Sequence, residues 1–352
     1  MLNTIAALPV LLGLLSYTSA TPIQSHHGSC SEPLIRKEWR DLTSTQKQDY
    51  IGAIKCLQAK PKEVTPDWLA PAAVTRSDDF TTAHILQTNT SHKVGHLLPW
   101  HRYYLSVYEK ALREECNYPG ALPYWDWTLD VSTDETFLNS PVFHPTHGFG
   151  GNGIFIPSDD PEPSSSFQIP GRTGGGCIQD GPFKDTIITL GPTSNLSGNP
   201  RCLNRDLSPY WARRYLGMNR TQVTLAKSTF GAFTFDAELG PPKVHSGIHG
   251  GGHSGVGGIM RDPYVSPADP LFYLHHANLD RVWWSWQRRD LGRRLRDVSG
   301  PVYREDWNNT RGGNVTLGFQ MTMGYVAGPV SVGDVMDVRG GRLCYVYDKV
   351  YE

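Results

Sequence analysis

The chain has 352 residues, 39% hydrophobic, with 33 basic and 34 acidic side chains. That length suits one large domain or two small ones. A charge this close to neutral argues against a nucleic-acid or other polyanion partner.

Residues 1–20 contain an apolar run that ends in Thr18-Ser-Ala20, just before Thr21-Pro22. This reads as a secretory signal peptide cut near Ala20, leaving residues 21–352 as the mature chain, taken as a single domain. The run is interrupted and short for a membrane span, and no other stretch is apolar enough to be one. Residues 33–58 read as a helix with Leu34, Trp39, Tyr50, Ile54 and Leu57 on its apolar positions. A Pro- and Asp-bearing loop over 61–79 follows, then a short helix over 79–87 carrying His84, then a polar loop at Asn89–Ser91. A helix from Pro99 to Glu115 carries His101, with Pro99 suited to its first turn. Tyr124-Trp-Asp-Trp-Thr128 is an aromatic cluster that walls the core.

Residues 131–230 differ in composition. Gly148–Gly153, Pro157–Ser166 and Gly171–Gly176 are rich in turn formers. A long loop inside a compact domain is commonly functional, so this segment reads as an insertion between two halves of a bundle, shaping the mouth of a site. Beyond Phe230, a helical stretch with Phe233, Phe235 and Leu239 leads to His245, His249 and His253. Asp269 is a suitable N-cap for a helix from Pro270 to Arg289, which carries His275 and His276. The tail over 318–350 looks extended, with Val335–Val338 and Leu343–Tyr347 forming a hairpin about Gly340-Gly341.

Six cysteines behind a signal peptide point to disulfides. Their spacing does not decide the pairing; Cys30–Cys344, Cys56–Cys116 and Cys177–Cys202 is the working assignment. No Cys-x-x-Cys exists, which argues against a thiolate zinc site. Sequons at Asn89, Asn195, Asn219, Asn308 and Asn314 are candidate N-glycan sites of a secreted, extracellular protein.

Of thirteen histidines, nine fall into two groups. His249 and His253 are four apart and share a helix face. The three glycines between them cost roughly 3 kcal/mol of helix propensity, and a local rule broken at a proposed site marks function. They also leave room above a metal. His275 and His276 are about 100° apart on a helix, so one faces a given metal. In the first group His101 is the firmest ligand candidate, His84 and His92 converge across a loop, and His96 competes with His92. His26, His27, His144 and His147 read as solvated. A di-iron bundle needs Glu-x-x-His pairs and a zinc protease needs His-Glu-x-x-His; the chain has neither. Two all-imidazole triads suit copper.

At these residues the chain resembles the type 3 copper proteins, the tyrosinases, catechol oxidases and hemocyanins, and among them the secreted short fungal enzymes. The resemblance rests on Leu98-Pro-Trp-His-Arg102, His92-x8-His101, Ile248-His-Gly-Gly-Gly-His253, Asp269-Pro-x-Phe-x-Leu-His-His-x-Asn-x-Asp-Arg281, Tyr124–Thr128 and Cys344-Tyr-Val-Tyr347, over about residues 30–350. It implies a mainly α fold, a four-helix bundle holding a dinuclear copper site with long loops and a few short strands. It implies one copper on His84, His92 and His101 and a second on His249, His253 and His276, with His275 a non-ligand and His245 and His96 extra. Asp280 is then an orienting carboxylate, and Phe272 the aromatic packed against the metal pair.

Three positions depart from many relatives. Thr90 stands where a thioether-forming Cys is found, so no thioether forms. The chain stops at Glu352, so no C-terminal plug domain is expected. Gly250 follows the first histidine of the second triad where several monophenol hydroxylators carry Asn, and Glu238 is the candidate for the Glu that acts with that Asn. The implied function is oxidation of o-diphenols, or of similar o-aminophenols, to quinones by O2, with weak monophenol hydroxylation. A tyrosinase with full monophenol activity, a hemocyanin-like oxygen carrier and a metal-independent structural protein are the alternatives.

Overall fold

The computed structural model describes residues 30–157, 170–240, 246–340 and 342–352. The signal segment, His26, His27, His245, Gly341 and most of Pro157–Ser166 lie outside the described residues.

Thr43 starts the first helix, α1 (Ser44–Ala59), by a reciprocal cap: its hydroxyl accepts from the Gln46 N–H at 3.2 Å, and the Gln46 side chain accepts from the Thr43 N–H at 3.0 Å. The helix expected over 33–58 therefore begins later. Upstream of it, Leu34–Arg36 is a strand, β1, and Trp39–Asp41 is a 3-10 turn. Thr75 and Asp78 form the same kind of cap on α2 (Arg76–Ser91). That cap lies ahead of the expected start at 79, and the helix continues through Asn89–Ser91, the expected loop. α3 (Leu97–Glu115) begins at Leu97, with Pro99 inside its first turn, where no N–H partner is lost.

The segment 131–230 is more structured than its composition suggests. It holds α4 (Asp134–Leu138), β2 (Gly153–Phe155), β3 (Gly175–Ile178), β4 (Ile187–Ile188), β5 (Arg201–Cys202), α5 (Pro209–Tyr215) and α6 (Met218–Leu225). Strands β2 and β3 pair antiparallel, as do β4 and β5. Its helix α5 packs directly on the glycine-rich helix of the site, so it is part of the support rather than an insertion alone. α7 (Phe230–Leu239) ends at Gly240 with φ +72°, and α8 (Ile248–Val256) ends at Gly257 with φ +68°, a conformation that favours glycine.

α9 (Leu271–Arg288) is buried on every face from Leu271 to Gln287, as a helix at the centre of a core must be. Asp269 caps it through the Leu271 N–H at 3.0 Å, and is itself gripped by Arg205 at 2.8 and 2.9 Å with both side chains fully buried. α3 and α9 meet through Tyr108 and Tyr273, whose rings stack 3.5 Å apart. Helices α2, α3, α8 and α9 are the four that carry the paired histidine groups, and one aromatic-rich core runs through them.

A short α10 (Leu291–Arg294) and the antiparallel pair β6 (Gln320–Met321) and β7 (Val330–Ser331) precede the tail. The expected tail hairpin is absent among the described residues: Val335 lies in a 3-10 turn, and Tyr345–Tyr347, strand β8, pairs in parallel with β1. The Cys30–Cys344 disulfide fixes that distant pairing. Cys56–Cys116 ties α1 to the end of α3, and Cys177–Cys202 ties β3 to β5. All three pairs match the working assignment. The tail also completes a buried ionic cluster. Asp280 accepts from Arg102 and from the hydroxyls of Tyr345 and Tyr347 at 2.5 Å each, while Arg36 bridges Asp280 and Glu109, the latter at 2.6 Å.

Candidate metal centre

α2 presents His84 from its third turn and His92 at its C-terminal cap, and α3 presents His101. One ring nitrogen of each lies within 4.8 Å of the others; the same holds for His249 and His253 on α8 with His276 on α9. The two groups face each other. The His101 and His276 rings stack 4.3 Å apart, and the His92 and His249 rings lie 5.7 Å apart. Phe272 packs between them, 4.1 Å from His276 and 5.2 Å from His84.

Four of the six rings are oriented by backbone carbonyls. The Nδ1 atoms of His84, His92, His101 and His253 contact the carbonyls of Tyr264 (2.8 Å), Thr88 (3.0 Å), Leu97 (2.8 Å) and Met260 (2.7 Å). A carbonyl only accepts, so each Nδ1 carries the proton and each Nε2 is left with a bare lone pair. The Nε2 atoms of His84 and His101 are buried and have no partner. The His253 Nε2 lies 3.2 Å from that of His249 and 3.1 Å from that of His276. Because the His253 proton is on Nδ1, its Nε2 has none to donate to either neighbour. Lone pairs without protons on these four rings are what a cation resolves, and the carbonyl bonds behind them hold those rings in the required tautomer. The donor set therefore fits a metal that favours imidazole, copper included.

Electrostatics agree. Burial lowers the pKa of every one of these rings, with mutual repulsion among several of them adding to the shift; His84 falls to about 3 and His253 to about 4. All six are neutral near pH 7, the form that binds a metal.

The neighbouring histidines have other work. His275 donates Nε2 to the His249 carbonyl at 2.9 Å and packs 5.0 Å from the Trp127 ring. His96 stands at the N-cap position of α3 without a side-chain cap bond and packs on Phe319 at 4.5 Å, outside both groups. Asp280 corrects the sequence expectation: its recorded partners are arginines and tyrosines, and it bonds none of the clustered histidines. Its charge is consumed in the ionic cluster.

The glycines correct it too. A Cβ at Gly251 would lie 2.7 Å from Tyr215 Cβ, and one at Gly252 would lie 2.1 Å from the His275 ring. These two residues admit α5 and His275 rather than leaving room over a metal. Gly250 alone is partly exposed, and a Cβ there would meet only Ser246, at 2.5 Å from its Oγ. Glu238, on α7, reaches the turn after His92: its Oε1 accepts from the Lys93 N–H at 2.6 Å, and its Oε2 is buried without a partner. Burial pushes this carboxyl up to about 8.

Sequence reading passed over the orienting carbonyls and Ser246. The carbonyls of Thr88 and Leu97 lie four residues before His92 and His101, a helical relation visible in the sequence. Those of Met260 and Tyr264 come from a connecting segment and carry no such signal.

Residues 74–289 match the family described as the common central domain of tyrosinase. The chain is 35% identical to N-acetyl-6-hydroxytryptophan oxidase ivoB of Emericella nidulans, over 89% of this chain and 92% of that protein. It is 34% identical to Tyrosinase P of Aspergillus terreus, over 90% and 93%. Among solved structures, a glycine-to-asparagine variant of polyphenol oxidase from Thermothelomyces thermophila superposes with a TM-score of 0.80 at 36% identity, covering 90% of this chain and 89% of that one. With a matching fold, two facing histidine triads and these relatives, the chain belongs to the tyrosinase family of copper-dependent oxidoreductases.

Proposed function

We propose that the chain is a polyphenol oxidase that converts o-diphenols, and similar o-aminophenols, to o-quinones or quinone imines with O2. His84, His92 and His101 would hold one copper, and His249, His253 and His276 the other. The observation that carries this reading is two facing histidine triads, four of whose Nε2 atoms are left without a proton by carbonyl bonds at Nδ1. Copper bound there supplies the two-electron exchange between diphenol and O2.

The protein's own contribution is geometry and exclusion. The carbonyls behind the rings fix the six imidazoles, and Phe272, fully buried, keeps water from the space between the triads. His253 and Gly250 are partly exposed and mark the open side. A phenol arriving there must lose a proton, and Glu238, with one free oxygen, takes it in its ionised form, which grows as pH rises towards its pKa of about 8. Gly250 offers no side chain to assist it, which favours diphenols, whose adjacent hydroxyls are more acidic, over monophenols. A relative named for oxidising a hydroxylated tryptophan favours a second reading, a tyrosinase with full monophenol activity.

The same reading makes residues 21–352 one secreted catalytic domain. Three disulfides fit an oxidising compartment. Four of the five sequon asparagines, Asn89, Asn219, Asn308 and Asn314, are exposed, and Asn195 is half-buried. Among the described residues no helix is long and apolar enough to cross a membrane.

The test is metal analysis with turnover. Reconstituted protein should bind two coppers and oxidise 4-methylcatechol far faster than 4-methylphenol. Equal rates on both, without a lag, would favour the second reading; no copper and no turnover would refute both.

A further inference from the structure

The buried Oε2 of Glu238 has no hydrogen-bond donor. A buried carboxylate oxygen left unpaired calls for an explanation, and a partner brought by a ligand is one. Two cations act on this carboxyl: the Lys93 N–H serves its other oxygen while the Lys93 ammonium pairs with Glu305 at 2.5 Å, and Arg304 reaches Asn89 at 3.4 Å.

Ser246 is a buried polar side chain beside Gly250. The Gly247 N–H bonds the Glu238 carbonyl at 3.1 Å, which ties the residue after Ser246 to the end of α7. Ser246 lies just ahead of α8, on which Gly250 and His253 are partly exposed. The Ser246 Oγ stands 2.5 Å from where a Cβ at position 250 would be. It fills the space of the missing side chain. Its one recorded bond, to the Gly247 carbonyl at 3.2 Å, is long and easily exchanged. Glu238 is bonded to the residue after His92, Ser246 stands against the residue after His249, and the His92 and His249 rings are 5.7 Å apart.

We propose that Ser246 is a positioning and specificity-determining residue that acts with Glu238 on the hydroxyl of the incoming phenol. The Ser246 O–H donates to the phenol oxygen. With Glu238 in its ionised form, the phenol O–H breaks, its proton passes to Glu238 Oε2, and the carboxylate becomes a carboxylic acid. No electron moves in this step. One hydroxyl offers a single donor where a carboxamide would offer two, so the help is partial, and the less acidic monophenol depends on it more than a catechol does. This inference rests on the polyphenol oxidase reading of the site.

Ser246→Ala, Ser246→Thr and Gly250→Ala test it. In Gly250→Ala the new methyl group turns the serine hydroxyl aside without deleting it. Copper content should stay at two per chain in all three. With 4-methylphenol, kcat should fall about tenfold in Ser246→Ala, the loss of about 1.4 kcal/mol of transition-state stabilisation. With 4-methylcatechol it should fall about twofold. The alkaline shift of the kcat/KM pH profile should appear in Ser246→Ala and Gly250→Ala and be reversed in Ser246→Thr. A readout without turnover is the absorbance of 4-nitrophenol bound to copper-free protein: the wild type should hold it as phenolate at a lower pH than Ser246→Ala does. Identical pH profiles and identical bound 4-nitrophenol spectra in wild type and Ser246→Ala overturn the role of Ser246. A wild type that binds no copper or leaves catechol untouched overturns the enzyme reading instead, so the two failures are told apart.

Discussion

Replacing Gly252 with alanine should damage the site far more than the same change at Gly250, although both sit in one run of three glycines. At Gly252 the added methyl group would lie 2.1 Å from His275 Cε1 and 2.3 Å from its Nδ1. That ring is fully buried and already bounded by Trp127 and His253 at 5.0 and 4.9 Å, so it has nowhere to retreat. Overpacking of this kind costs about 1–3 kcal/mol. Moving the ring also breaks its bond to the His249 carbonyl, and a buried acceptor left unpaired adds about 1–3 kcal/mol. Alanine returns about 1 kcal/mol of helix propensity. The net loss is then about 3 kcal/mol. At Gly250 the same propensity gain opposes only the rotation of the Ser246 hydroxyl, so stability there should hold or rise slightly. Urea unfolding of copper-free protein reads the difference. With a slope of about 3 kcal/mol/M, the midpoint of Gly252→Ala should fall by about 1 M, and copper recovered on reconstitution should drop, because the displaced ring pushes on His249. A Gly252→Ala protein with a wild-type midpoint and two coppers would refute the reasoning.

His276→Ala should bind one copper instead of two, whereas His275→Ala should keep two and lose stability through the cavity beside Gly252; equal copper loss in both, measured by elemental analysis, would reverse the assignment within the pair. Asp280→Asn removes the charge that Arg36 and Arg102 share, which should cost about 3–5 kcal/mol with copper stoichiometry kept in the folded fraction; a copper loss at an unchanged urea midpoint would show that Asp280 acts on the metal after all. Copper-free protein should be acid-labile. Burial lowers the pKa of eight histidines, His84 to about 3 and His96 and His253 to about 4. Their neutral-state stabilisation is present above the unfolded value of about 6.5 and is lost as pH falls from there towards 3. Glu238, raised to about 8, works the other way, losing stability as pH climbs from 4.5 to 8, but it is one group against eight. A urea midpoint that rises on acidification from pH 6.5 to 4.5 would contradict this balance.

The helices that carry the histidines were legible because their signals are local. Spacing four apart at His249 and His253, a proline in the first turn before His101, and Asp269 ahead of an aromatic-rich run all act within one or two turns. The convergence of the two groups was legible only through the resemblance, since spacing left His92 and His96 in competition. What escaped was set by partners far along the chain. Leu34–Arg36 is a strand because Tyr345–Tyr347 lies beside it, and nothing within its own window says so. The glycines at 251 and 252 owe their identity to Tyr215 and His275, which no helix-propensity argument contains. The resemblance implied that Asp280 orients a histidine, yet Arg102 and the two tyrosines claim it.

The bond between Cys30 and Cys344 closes a covalent ring of most of the chain, with 314 residues of separation. In the chain-entropy account such a ring removes about 5–6 kcal/mol of conformational freedom from the unfolded state. It also clamps β1 against β8, and so holds Tyr345 and Tyr347 on Asp280 behind α9. Thiols are a common way to trap quinones in solution. On the proposed function, a thiol would be a reagent for the scaffold as well as for the product, because opening the ring frees the strap that backs the histidine-bearing helices. Loss of colour in a thiol-quenched reaction then has two causes, and only a trap that spares disulfides separates them.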